Sequence, residues 1–80
     1  MTTIGETVGT RYEITATLRN AVRSPRRGSD GAYVIYGDVY GDIRGRFVDG
    51  QNIRTSLVTQ EWDGHVRTLN SLYRIEGDIR

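Results

Sequence analysis

Apolar and polar residues alternate most regularly near the start of the chain, over residues 11–19. One side of this alternation is apolar and consists of Tyr12, Ile14, Ala16 and Leu18. The other side is polar and consists of Glu13, Thr15, Thr17 and Arg19. A period of two residues is typical of a half-buried strand, so this segment predicts the first strand. Residues 20–30 are polar and contain the only proline, and they predict a loop that is the most mobile part of the chain.

A second strand is predicted over residues 32–43, where a period of two returns. Its apolar face consists of Tyr33, Ile35, Val39 and Ile43. Its opposite face consists of Val34, Tyr36, Asp38, Tyr40 and Asp42. Glycines recur at every fourth position, as Gly37, Gly41 and Gly45. Because glycines inside strands mark bends, bulges or close backbone approach, the pattern predicts a strongly coiled strand.

Two Asp-Gly pairs predict turns in the second half of the chain, because this dipeptide favours the left-handed backbone of tight turns. A three-residue loop at Asp49-Gly50 keeps one face apolar through the pairs Phe47–Ile53 and Ile43–Leu57. A two-residue turn at Asp63-Gly64 sets the pairs Trp62–His65, Gln60–Arg67 and Val58–Leu69. Both faces of this last hairpin hold apolar residues. Either a bulge near Asn70-Ser71 switches the faces, or a barrel or a second subunit covers both.

These segments predict an all-β protein of about five antiparallel strands, either a curved sheet or a small SH3-like barrel. The chain has 80 residues, which predicts one small domain over residues 1–80. Cysteines are absent, no apolar run is long enough to span a membrane, and the N-terminus lacks the plan of a signal peptide. We therefore expect a soluble, cytoplasmic protein without disulfides or membrane contact.

The formal net charge of +1 conceals an uneven distribution of charge. Residues 11–27 hold five arginines against one glutamate, whereas residues 28–49 hold four aspartates against two arginines. All 11 basic residues are arginines, which fits either codon bias or a need for guanidinium groups that recognise carboxylates or phosphates. A near-neutral protein with segregated charge suits charged partners of either sign, whereas general nucleic-acid binders usually carry a larger positive excess.

The residue types needed for catalysis are scarce, and the sequence therefore predicts a protein that is not an enzyme. His65 is the only histidine, and its place beside a turn favours stacking on Trp62 over a catalytic triad. Asp38 and Asp42, four residues apart on a strand, would lie about 13 Å from each other, too far for paired carboxylates. We expect no cofactor and no metal site, because the glycines are not part of a phosphate-binding motif and no histidine neighbours the aspartates.

Two surfaces remain as candidates for binding a partner. The first is the basic segment from Arg19 to Arg27, which is either a solubilising loop or an anchor for acidic groups. The second is the face of the second strand, which is either an ordinary or dimer-buried sheet face or a recognition surface rich in tyrosine. Together they comprise Arg19, Arg23, Arg26, Arg27, Tyr36, Asp38, Tyr40 and Asp42.

Three segments in the C-terminal half carry a resemblance, and they are residues 53–56, residues 63–68 and residues 70–75. They resemble the ends of short proteins from phages, prophages and proteobacterial mobile elements, over about a third of the chain. The whole profile, small and free of cysteine, resembles anti-CRISPR proteins. The resemblance implies a protein that binds a CRISPR effector complex, such as one of type I, and blocks recognition of target DNA or recruitment of a nuclease.

Three hypotheses follow from the sequence. The first is an inhibitor of anti-CRISPR type that uses the basic segment and the Tyr/Asp face. The second is a small nucleic-acid-binding barrel, in which Arg19 to Arg27 contact phosphates and Tyr36 and Tyr40 stack bases. The third is a structural phage component or homodimer that buries its spare apolar face.

Overall fold

The computed structural model describes residues 13–26 and 31–80. All the regular secondary structure within these residues is β-strand. This confirms the all-β class. The six strands are β1 (Ala16–Pro25), β2 (Tyr33–Tyr40), β3 (Gln51–Arg54), β4 (Val58–Trp62), β5 (His65–Thr68) and β6 (Leu72–Glu76). Within these residues no helix is long and apolar enough to cross a membrane.

The six strands form one mixed sheet in the order β3-β2-β1-β6-β5-β4. Two antiparallel meanders, β1-β2-β3 and β4-β5-β6, account for four of the five strand pairs. The fifth pair joins the meanders, and it is parallel, with Ala16 opposite Tyr73 and Arg19 opposite Glu76. The prediction of antiparallel pairing throughout is therefore wrong at this one ladder, which depends on residues remote in sequence.

The sheet curls strongly without closing into the SH3-like barrel that was one of the two predicted forms. Its two edge strands, β3 and β4, are joined by only the three residues from Thr55 to Leu57. In a flat six-stranded sheet these edges would be about 24 Å apart. Since the connection spans at most about 14 Å, the sheet must roll until its edges approach. The core, which includes Leu18, Ile35, Val39 and Val66, fills the inside of this roll.

A bulge in β1 explains why the predicted loop over residues 20–30 is wrong for its first half. Residues 20–25 belong to β1, and residues 27–30 lie outside the described chain. The register with β2 shifts between Arg19 and Val22, where Asn20 adopts a left-handed backbone with φ of 56°. The extra residue turns Ala21 towards the core after Ala16 and Leu18. The buried positions therefore change from even-numbered to odd-numbered residues at the bulge. Because the period of two is interrupted, the sequence pattern predicts a loop where the strand continues.

The start of β1 also differs from the prediction of a strand over residues 11–19. Residues 11 and 12 lie outside the described chain, and the strand begins only at Ala16. Thr15 is buried, whereas Ile14 is 37% exposed, the reverse of the predicted faces. The backbone of Thr15 donates to Leu72 O at 2.7 Å and accepts from Ile43 N at 2.9 Å. These bonds to two other segments draw Thr15 inward.

The second strand ends at Tyr40 instead of Ile43, because Gly41 has a φ of 66° and turns the chain away. Ile43 consequently lies in the loop and is 59% exposed. The predicted pairs Phe47–Ile53 and Ile43–Leu57 are not formed, since Ile53 lies opposite Gly37. Gly37 confirms the close backbone approach that strand glycines predict. A Cβ atom there would lie 3.3 Å from the carbonyl oxygen of Arg19, beside the bulge.

The last hairpin confirms the predicted two-residue turn, with the pairs Trp62–His65 and Gln60–Arg67. Beyond these pairs a bulge at Thr59 shifts the register, so that Val58 lies opposite Thr68 and the predicted pair with Leu69 is wrong. A tight turn then separates β5 from β6, closed by a 2.8 Å bond from Thr68 N to Ser71 O. One predicted alternative was a bulge near Asn70-Ser71 that switches faces. The structure has this turn there instead, and the turn divides the predicted last strand into β5 and β6, which gives six strands.

Candidate protein-binding face

The outer surface of the β1–β2 pair carries most of the predicted Tyr/Asp face. Ile35 and Val39 point into the core, so the residues between and beside them, Tyr36, Asp38 and Tyr40, point outward. The structure brings Arg19 to the same face, because it lies directly opposite Asp38. Tyr36 is 40% exposed. We call Arg19, Tyr36, Asp38 and Tyr40 the outer face.

Two asparagines hold the carboxylate of Asp38 in position. Asn20, in the bulge of β1, donates from Nδ2 to Oδ2 at 3.0 Å, and Asn52, on β3, donates from Nδ2 to Oδ1 at 3.1 Å. These hydrogen bonds, first from Asn20 and then from Asn52, lower the pKa of Asp38 below its ordinary value. Asp38 is therefore an oriented negative charge at neutral pH.

Arg19 is held in place from two directions. Its Nε atom lies 2.6 Å from Glu76 Oε1 on β6, and its guanidinium carbon lies 4.3 Å from the ring centroid of Tyr40. The cation–π contact and the ion pair restrict the rotamers of the Arg19 and Tyr40 side chains. Side chains ordered before binding lose less entropy when a partner docks, so this arrangement suits recognition.

Asp42 does not share this face, although the period of two placed it there. Its side chain is only 1% exposed, and it lies in the loop after β2. It accepts backbone hydrogen bonds from Arg44 at 3.3 Å, Arg46 at 2.7 Å and Phe47 at 3.1 Å. Burial raises the pKa of Asp42, but the backbone donors and the charge of Arg46 outweigh it and lower the pKa overall. Asp42 organises the loop.

Arg23 points away from the outer face, because the bulge places it opposite the buried Ile35. Its Nε and Nη2 atoms donate to the two carboxylate oxygens of Glu61 at 2.9 and 2.8 Å. Tyr33 donates to the same carboxylate. The hydrogen bonds from Arg23 are the main reason why the pKa of Glu61 is lowered. This cluster bridges β1 and β2 to the edge strand β4 at one open end of the roll.

Arg26 is separate from the outer face and from the cluster of Arg23, Tyr33 and Glu61. Arg26 is exposed just after β1, and its backbone N donates to Ala32 O at 2.9 Å. Arg27 lies outside the described residues. The predicted basic segment therefore does not form one surface: Arg19 belongs to the outer face, Arg23 to the open end of the roll, and Arg26 to the hairpin end.

His65 stacks on Trp62 as predicted, with ring centroids 5.7 Å apart. Its Nδ1 atom lies 2.7 Å from the carbonyl oxygen of Asp63. Both residues line a cavity of about 310 Å³ that also includes Arg23 and Glu61. Across the described ranges, no group of three or more His, Asp or Glu side chains could hold a metal ion.

Sequence reasoning missed the residues that complete the outer face. Val22 lies opposite Tyr36 and is 41% exposed, but it fell in the predicted loop. Asn20 fell in the same loop, and Glu76 reaches Arg19 only through the parallel ladder. The one local signal was Asn20 itself, because asparagine tolerates the left-handed backbone that some bulges need.

No protein-family model matches this chain, and comparisons with curated proteins and with solved structures also give no match.

Proposed function

We propose that this protein acts without catalysis, by binding another protein through the outer face, and that it is an inhibitor of anti-CRISPR type. Its target is a CRISPR effector complex, in which it blocks recognition of target DNA or recruitment of the nuclease. The observation that carries the binding proposal is the ordered Tyr36–Asp38–Tyr40 row. The resemblance of the chain to small phage inhibitors supplies the choice of target.

Tyrosines suit such a surface because they offer a large contact area with few rotatable bonds and a polar tip. The Tyr36 side chain is exposed to solvent, and the Tyr40 ring is held in position by its cation–π contact with Arg19. Asp38 between them is ionised and fixed by two amides. A protein surface that pairs a cation with Asp38 and receives Tyr36 in a pocket would complement this row.

The alternative of a nucleic-acid-binding barrel has less support from the contacts. Arg19 is paired with Glu76, and Arg23 is paired with Glu61 on a different side of the molecule. The negative charge of Asp38 lies between the two tyrosines that would stack bases. A phosphate backbone crossing this row would meet that charge.

The proposal is tested by measuring binding of the protein to purified type I effector complexes by biolayer interferometry. We expect Tyr36→Ser to weaken the binding about tenfold or more, as loss of an aromatic anchor does at other interfaces. Trp62→Ser is the matched control, because Trp62 is 39% exposed but lies on the far edge strand.

Absence of binding to every complex would refute the choice of target. Equal losses for Tyr36→Ser and Trp62→Ser would refute the outer face as the binding surface. Circular dichroism of both variants shows whether they remain folded.

A further inference from the structure

A row of exposed side chains crosses the same side of the sheet from strand to strand and passes through Tyr36 of the outer face. Arg54 on β3 lies directly opposite Tyr36, which in turn lies opposite Val22 on β1. Beyond β1, Arg80 N donates to Ala21 O at 2.8 Å, and Arg80 O accepts from Arg23 N at 2.7 Å. This is a parallel ladder pattern that sets Arg80 beside Val22 and on the same side of the sheet. The row therefore reads Arg54, Tyr36, Val22, Arg80.

The two arginines of this row flank an exposed apolar centre. Tyr36 and Val22 are 40% and 41% exposed, and Arg54 and Arg80 are exposed as well. Three strand spacings separate the backbones of the two arginines, about 14 Å. Tyrosine and arginine are among the residue types that contribute most of the binding energy in protein interfaces.

These arginines differ from Arg19 and Arg23 in having no acidic partner. Among residues 13–26 and 31–80, neither Arg54 nor Arg80 takes part in an ion pair. Arg26, exposed at the hairpin end of β1, has none with the described residues either. We call Arg54 and Arg80 the basic band.

The neighbouring row is acidic. Asp38 lies two residues from Tyr36 along β2, and Glu76 lies on β6 opposite Arg19. Asp78 is exposed between Glu76 and Arg80. Asp38 and Glu76 thus share this row with the guanidinium of Arg19, and Arg74 lies in the next row along β6. We call Asp38 and Glu76 the acidic band, which lies beside the row that holds the basic band, Tyr36 and Val22.

We propose that the protein partner presents carboxylates to the basic band and cations to the acidic band, with an apolar pocket for Tyr36 between them. This inference rests on the proposed function, because it names the chemistry of the partner that docks on the same side. Guanidinium groups bind carboxylates through two parallel hydrogen bonds, which Arg54 and Arg80 can both supply.

A protein fits this pattern better than a nucleic acid does. Nucleic acids are uniformly negative, and a strand long enough to contact both Arg54 and Arg80 would run beside the acidic band. A protein surface can alternate its charges over two residues along a strand, about 7 Å. Complementary bands also fix the orientation of docking and reject partners that present like charges.

The test uses two probes in fluorescence anisotropy at low salt: a labelled peptide with a block of glutamates followed by a block of lysines, and a 20-nucleotide oligothymidine. We expect the peptide to bind the protein more tightly than the oligonucleotide. Arg54→Glu combined with Arg80→Glu should weaken peptide binding at least about tenfold, since each charge reversal replaces attraction with repulsion.

The matched control is Arg74→Glu combined with Arg26→Glu, which changes the net charge by the same amount as the Arg54 and Arg80 reversals. Arg74 is an exposed arginine on β6, opposite Thr17 and outside the basic band, and it has no ion pair with the described residues. We expect this control variant to weaken peptide binding by much less than the Arg54 and Arg80 reversals. Both variants also serve in the effector-complex assay.

Tighter binding of the oligonucleotide would overturn the inference in favour of a nucleic acid. An equal loss with the charge-matched control variant would overturn it by showing a general effect of net charge. Peptide binding that depends on Arg54 and Arg80, without binding to any effector complex, would support the inference and refute the proposed target. Effector binding that is unaffected by the Arg54 and Arg80 reversals would support the proposed target and refute the inference.

Discussion

The pairs Gly37-Asp38 and Gly41-Asp42 are identical dipeptides four residues apart, and they have opposite roles. Gly37 lies within β2, where its missing side chain lets the strand approach the carbonyl of Arg19. Asp38 then points outward and is held by two amide side chains. Gly41 ends the strand with a left-handed backbone, and the side chain of Asp42 is buried against three backbone donors.

The difference shows that local context decides whether an acidic residue is available to a partner. Asp38 has neighbouring strands on both sides, which supply amides and leave the carboxylate at the surface. Asp42 is followed by a loop whose backbone N–H groups have no strand partner, and its carboxylate satisfies them. The first aspartate therefore belongs to the surface and the second to the loop.

The largest expected effect is on stability, from Asp42→Ala. This change removes the carboxylate that accepts hydrogen bonds from three backbone N–H groups, and we expect the free energy of unfolding to fall by about 2–3 kcal/mol. Urea denaturation followed by fluorescence of Trp62 measures it. A change for Asp42→Ala no larger than that for Asp38→Ala would contradict the distinction between the two aspartates.

Gly37→Ala should have the next largest effect. The new Cβ atom would lie 3.3 Å from the Arg19 carbonyl oxygen and 3.4 Å from the Cβ atom of Leu18. Both of these atoms belong to β1, beside its bulge. We expect the free energy of unfolding to fall by about 1–2 kcal/mol. The same urea titration tests it. An unchanged or increased stability would show that the bulge can move to accommodate a methyl group.

The smallest effect concerns acid stability. The pKa of each aspartate is lowered in the folded protein from an ordinary value of 3.8. The unfolded chain therefore binds protons first, so the stability that each ionised group contributes is present above about pH 4 and is lost as the pH falls through the folded pKa. We expect Asp42→Asn to reduce the difference in urea midpoint between pH 7 and pH 3.

Asp38→Asn should change that difference in the same direction but by less, because its carboxylate is exposed and solvent screens its contacts. A larger change for Asp38→Asn than for Asp42→Asn would reverse the roles assigned to the two aspartates.

The sequence predicted those parts of the fold that depend on neighbours along the chain. The last hairpin is an example, because Asp63 and Gly64 both adopt positive φ values and so form the turn that their residue types favour. The row of Tyr36, Asp38 and Tyr40 followed from simple alternation within one strand. In both cases the determining contacts are local.

The parts that the sequence did not predict depend on a single extra residue or on remote contacts. The bulge at Asn20 separates Arg19 from Arg23, and nothing in the surrounding pattern distinguishes it from a loop. Arg54 and Arg80 join Tyr36 through strand pairing that the sequence does not reveal. The border between the basic and acidic bands is therefore a property of the assembled sheet.

The parallel ladder between β1 and β6 has a consequence for how the chain folds. Each meander pairs residues that are near one another in sequence, so each can form with little loss of loop entropy. The ladder, in contrast, joins Ala16 to Tyr73 and so encloses almost all of the described chain. We therefore expect the two halves to form first and to meet afterwards, which makes their junction the slow step of folding.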